Sequence, residues 1–206
     1  MQNTQEKLLD YMQKKYEDDT FTYVSSNGSG WGDSETSIVL KSEKYPQAKV
    51  IVSQRTNEQG EKIIEDNYMS FVFENEITAE LKDAFEQVYG QCDVVYKPPQ
   101  SSLITGGMET DIKEYMENPD SGIAAVVFIN SVGQEKGRDM RLEYLREILE
   151  GKGISMSASV VFTQDSEALS ANIDNYIEFL NKTEIIDMRC NFLLDEEFQF
   201  VYANWR

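Results

Sequence analysis

The sequence predicts an α+β protein, with helices and strands mixed along the chain. Three observations carry this: apolar residues recur at helical spacing in several segments, residues 154–163 alternate strictly, and residues 122–130 form an unbroken apolar run. Strict alternation marks a strand with one polar face, whereas an unbroken run marks a strand buried on both. The expected arrangement is two α/β halves, antiparallel-rich in the first and β-α-β-α-β-β in the second.

The elements follow in order. Leu8, Leu9, Met12 and Tyr16 put a helix over residues 5–16, closed by Asp18-Asp19. Phe21-Thr22-Tyr23-Val24 opens extended structure, and Asn27-Gly28-Ser29-Gly30-Trp31-Gly32-Asp33-Ser34 reads as a loop or wide turn. Strands are expected at 36–41, 48–55 and 62–65, with a turn at Asn57-Glu58-Gln59-Gly60. Residues 67–90 read as mostly helix on Met69, Phe73, Ile77, Leu81, Phe85 and Val88, with residues 68–73 equally compatible with a strand. Gly90 suits the left-handed position past a helix end.

Residues 92–97 form the next strand, stopped by Pro98-Pro99. A short helix with Ile112, Tyr115 and Met116 inward starts at Thr110 and ends at Asn118-Pro119. The strand at 122–130 leads to a helix over 139–150, with Leu142, Leu145, Ile148 and Leu149 inward and Asp139 as its cap. After the strand at 154–163, Ser166 starts a helix with Leu169, Ile173, Ile177 and Leu180 on its stripe. Residues 185–194 and 197–204 close the chain as an antiparallel hairpin across Asp195-Glu196. The expected organisation is an N-terminal half over 1–97, a linker over 98–108 and a C-terminal half over 109–206, with one continuous domain as the alternative.

Composition narrows the function. The 206 residues contain no histidine and two cysteines, which disfavours Ser-His and Cys-His nucleophiles and ordinary zinc sites. The 37 acidic residues against 19 basic ones leave a formal charge of −18, opposite to what a nucleic-acid backbone attracts. No apolar run reaches the roughly 18 residues of a membrane span, and Met1-Gln2-Asn3-Thr4-Gln5-Glu6-Lys7 lacks the layout of a secretory signal. No cofactor or metal is expected, since no D-x-[DN]-x-[DN]-G loop is present.

Alternation in the last hairpin places Cys190 with Ile186, Met188, Phe192 and Leu194, and Arg189 on the opposite face. Cys92 shares a face with Val94 and Tyr96. Both thiols read as buried small hydrophobes, with a Cys92–Cys190 bridge as the alternative. Adjacent acids at Asp18-Asp19, Glu65-Asp66 and Glu196-Glu197 are abundant without forming a recognisable catalytic pair.

Two segments are candidate binding sites. Gly133-Gln134-Glu135-Lys136-Gly137-Arg138-Asp139 joins a buried strand to a helix, the setting in which helix amides meet an anion, with Lys136 and Arg138 as helpers. Its spacing is not that of a P-loop. Trp31 between Gly30 and Gly32 is a stacking platform or protein anchor, or else folds back onto the core.

Tyr16, Phe21-Thr22-Tyr23-Val24, the Gly/Ser/Trp loop, two strands and Glu65-Asp66-Asn67-Tyr68 together resemble a group of uncharacterised proteins of Gram-positive, gut-type bacteria. These are often surface lipoproteins, and the similarity covers the first half of the chain. The resemblance implies an extracytoplasmic α/β domain attached through a lipid-bearing segment, although no signal or lipid-acceptor cysteine precedes Met1. It implies no activity.

The function expected from the sequence is non-enzymatic: a soluble interaction domain contacting a protein or a small ligand. A small carboxylate-dependent hydrolase is the alternative, as is an acidic accessory or immunity-type protein covering a basic partner.

Overall fold

The computed structural model describes residues 4–27, 36–57, 59–100, 104 and 106–206. Trp31, Gly30 and Gly32 lie outside the described residues. The fold is α+β, built as two compact units, one of Met1–Phe73 with Pro98–Asp111 and the other of Glu74–Lys97 with Ile112–Arg206. These differ from the expected halves mainly by residues 74–97, whose strand pairs with a strand from the second half of the chain.

Unit one starts with helix α1 (Thr4–Lys15), which buries Leu8 and Met12. Strands β1 (Phe21–Asn27), β2 (Thr36–Ser42), β3 (Val50–Thr56) and β4 (Lys62–Asp66) form an antiparallel sheet in chain order. Ile38, Leu40, Val50 and Val52 supply its buried apolar contacts. The short helix α2 (Tyr68–Val72) follows at once, so the ambiguous segment 68–73 is helical. The expected linker does not hang free: Ile104 bridges to Asp66, and Asn67 Nδ2 donates to the Pro99 carbonyl at 2.8 Å.

Unit two contains α3 (Glu74–Tyr89), β5 (Cys92–Tyr96), α4 (Ile112–Glu117), β6 (Ala124–Asn130), α5 (Arg138–Lys152), β7 (Met156–Thr163), α6 (Tyr176–Asn181), β8 (Ile186–Leu194) and β9 (Phe200–Trp205). The sheet runs β5-β6-β7-β8-β9, and within it β6 and β7 are parallel while the other neighbours are antiparallel. The unbroken apolar run is explained by this placement. Val126 and Phe128 enter one core with Val161 and Phe179, whereas Val127 and Ile129 are buried on the other face. There α3 brings Tyr89 edge-on to Phe162 at 5.6 Å.

Four local expectations are corrected. The stripe Leu169, Ile173, Ile177, Leu180 does not form one helix; a 3-10 turn at Ala168–Ser170 and extended backbone at Ala171 precede α6, leaving Ile173 and Ile177 exposed. Asp165, not Ser166, supplies the local cap, its Oδ1 accepting from the Glu167 and Ala168 amides at 3.0 and 2.9 Å. Asp139 does not cap α5, which begins behind Gly137 without a side-chain cap. Ile186 packs with the Phe128 cluster, not on the Cys190 face, because the β7–β8 register slips between Phe162 and Thr163.

Candidate ligand-binding crevice

Because β6 and β7 are parallel, both end at the same edge of the sheet, and their connections leave from there. Crevices outside the carboxyl ends of parallel strands are the recurrent ligand sites of α/β sheets. Here Ser131, Val132, Gly133, Glu135, Lys136, Gln164, Asp187 and Met188 line an open crevice of about 600 Å3, within the usual range for small-molecule sites.

The walls are tied together. The Ser131 amide donates to the Thr163 carbonyl at 3.0 Å, joining the ends of the two parallel strands. The Val132 amide donates to Asn130 Oδ1 at 3.0 Å, and the Gln134 amide to the Ser131 carbonyl at 3.0 Å. Gln134 Nε2 reaches the Tyr89 carbonyl at 3.1 Å, while Arg141 Nη1 donates to Gln134 Oε1. Gly133 (φ 77°) and Gly137 (φ 71°) take the left-handed backbone that lets this seven-residue connection turn into α5.

Asp187 enters from the opposite side. The register slip at the start of β8 places it in the crevice, where its Oδ2 accepts from Ser131 Oγ at 2.5 Å and from Gln164 Nε2 at 3.4 Å. Among the described residues, Oδ1 takes no hydrogen bond from the protein. Bulges commonly re-aim a side chain in this way. A carboxylate with one anchored and one free oxygen is oriented yet able to accept from a ligand.

Of the two basic residues proposed from the sequence, Lys136 is in this lining and Arg138 is not. Its guanidinium carbon sits 5.1 Å from the Trp205 ring centre, and Nη1 approaches Met188 Sδ at 3.9 Å. The cation of this exposed residue is thus engaged by Trp205 and Met188. With Glu135 and Asp187 opposing Lys136, the crevice is mixed in charge, which suits a polar ligand carrying both donors and acceptors better than a phosphate. Periodicity could not have found Asp187, because a bulge leaves no mark on it.

Unit one holds a different polar assembly. Asp66 is fully buried and accepts from Lys15 Nζ at 2.7 Å, Tyr16 Oη at 2.9 Å and the Tyr68 amide at 3.0 Å. Burial raises its carboxyl above the usual range despite the attraction of Lys15. Asp19 is also buried and accepts from Ser42 Oγ, from Tyr68 Oη at 2.8 Å and from the amides of Thr20, Glu43 and Lys44. Burial alone would raise its carboxyl, but these hydrogen bonds outweigh that and hold it below the usual range.

The Tyr16 and Tyr68 rings meet at 4.3 Å, and burial with the neighbouring carboxylates pushes both phenols up. A groove of about 390 Å3 touches Lys15, Tyr16, Asp19, Lys44, Tyr45 and Tyr68. The acids behind it already have several protein donors each, so the assembly serves packing.

Both cysteines are free and buried, and burial pushes each thiol up to about 12. Strands β6 and β7 separate them, so the bridge considered from sequence would have to span three strand spacings, about 14 Å, beyond disulfide reach. Among the described residues no group of three or more His, Cys, Asp or Glu side chains is placed to hold a metal, and no helix is long and apolar enough to cross a membrane.

The chain is thus an α+β protein with an open crevice at the end of a parallel strand pair. It is similar to the crystal structure of a DUF5037 family protein from Ruminococcus gnavus, at 13% sequence identity over 97% of this chain and 95% of that one, with a TM-score of 0.47. No protein-family model and no curated protein matches it. None of these comparisons assigns an activity.

Proposed function

We propose that this chain is a non-enzymatic binding domain that holds a small, polar, hydroxyl- or ammonium-bearing ligand in the crevice at the ends of β6 and β7. The observation that carries the reading is the convergence of Ser131, Gln164, Asp187 and Lys136 on one open hollow of about 600 Å3. Asp187 Oδ1 would accept from the ligand, and Lys136 would donate to it at the rim. Arg138 supports the wall through Met188 and Trp205. Trp31, Gly30 and Gly32, outside the described residues, are kept as a second proposed ligand contact. The extracytoplasmic placement implied by the resemblance belongs to the same proposal, and fractionation of the native cells checks it.

The test is a ligand-detected NMR screen of sugars, polyols and amino acids, followed by calorimetry on the hits. Asp187→Asn and Lys136→Ala should each weaken binding at least about tenfold, the loss of one charged hydrogen bond, while Asp18→Asn should leave it unchanged. Equal affinity in all variants, or no hit with the wild-type protein, overturns the reading. The rival hydrolase reading has Glu135 and Asp187 in the same crevice on its side; consumption of a bound ligand, abolished by Glu135→Gln, would favour it.

A further inference from the structure

The two edges of the unit-two sheet are treated differently. Edge strand β5 lies against α3 and carries Asp93, paired with Lys82 at 3.5 Å. Edge strand β9 reads Phe200-Val201-Tyr202-Ala203-Asn204-Trp205, without a charge in a chain of net −18, and Val201 and Tyr202 are 60% and 42% exposed. Charge, cover or proline normally blunt an edge; β9 contains no charged residue or proline, and among the described residues of its own unit it is left exposed over residues 201–204.

The ladder to β8 fixes which backbone groups of β9 are free. Arg206 and Arg189 exchange both hydrogen bonds, at 3.0 and 2.8 Å. Antiparallel pairs alternate between bonded and non-bonded, so Asn204 opposite Asn191 and Tyr202 opposite Leu193 also turn inward. Trp205 and Ala203 therefore present their N–H and C=O groups at the open edge. An occupant with matching chemistry is another extended strand.

Charge identifies that strand. The basic Arg206 lies at one end of β9, and Asp195, Glu196 and Glu197 form the turn at the other. Two copies of β9 laid antiparallel bring each Arg206 toward the other copy's acidic turn, twice over by symmetry. Parallel pairing would set acidic turn against acidic turn. The edge is self-complementary in the sense a two-fold interface demands.

We infer that β9 pairs antiparallel with β9 of a second copy of this chain, joining two five-stranded sheets into one continuous sheet. Sedimentation velocity across a concentration series tests it. The wild-type protein should pass from monomer to dimer, and Ala203→Pro, which removes an outward N–H and leaves the β8 ladder intact, should sediment as a monomer with an unchanged circular dichroism spectrum. Arg206→Glu should weaken association at least tenfold, and combining it with Glu196→Lys and Glu197→Lys should restore it. A wild-type monomer at every concentration overturns the inference, as does a dimer that persists in both Ala203→Pro and Arg206→Glu. If Ala203→Pro does not fold, the charge series decides: absence of rescue overturns the inference.

Discussion

The two units place their polar groups in opposite ways. Unit one buries two carboxylates and surrounds each with donors, so that Asp66, Lys15, Tyr16, Asp19, Ser42 and Tyr68 act as packing. Unit two buries its central strand β6 in apolar residues on both faces and leaves its polar convergence at the strand ends, open to solvent. A buried acid that is fully donated to has no capacity left for a ligand, whereas one anchored through a single oxygen has. Counting acids therefore says little about where function lies; the number of unused acceptor positions says more.

The contrast can be broken most forcefully at Asp66. Asp66→Ala removes the buried acceptor shared by Lys15, Tyr16 and the Tyr68 amide, and breaking such a buried ion pair should cost about 3–5 kcal/mol. Hydrogen exchange read separately for peptides of each unit would show the loss in unit one. Unit two should respond on a similar scale only to an apolar deletion: Phe128→Ala, at a position with no exposure, should cost about 3–5 kcal/mol. If Asp66→Ala proved neutral, the packing role assigned to the acid would be wrong.

Asp19 sharpens the comparison through pH. Its carboxyl is held below the value it has in the unfolded chain, which is about 3.9. Its contribution is therefore present above about pH 4 and disappears as pH falls through the lower folded value. Asp66 has the opposite sign, since a raised folded value favours the native state below about pH 4 and loses that contribution as pH rises. Asp19→Asn should cost about 2 kcal/mol at neutral pH and flatten the fall in stability on acidification. Urea titrations at several pH values would show whether the slope changes.

At the small end, Ser131→Ala at a half-buried position and Asp187→Ala at an exposed one should shift stability by no more than about 0.5 kcal/mol, as positions outside the core generally do. Thermal melts check this. A loss above 2 kcal/mol at Asp187 would move it into the same class as Asp66.

Much of the framework was legible in the sequence because it rests on periodicity. The alternation of Met156, Ala158, Val160 and Phe162, the apolar run in β6 and the turn glycine Gly90 (φ 78°) all appear where the pattern placed them. The candidate site was half legible: the strand-to-helix turn with Lys136 could be read, but its facing wall could not. Asp187 depends on a register slip, and Arg138 is drawn away by Trp205, which lies 67 residues along the chain. Adjacent acids also divided in ways composition cannot express. Asp18 is 85% exposed at its side chain beside buried Asp19, and Glu65 pairs with Arg55 beside buried Asp66.

The clamped connection between β6 and α5 has a kinetic meaning. With Ser131, Gln134 and Arg141 already holding its backbone, little chain freedom is left to surrender when a guest arrives. Entry should need no prior rearrangement, so differences between related guests would appear in how long each stays, not in how fast it enters.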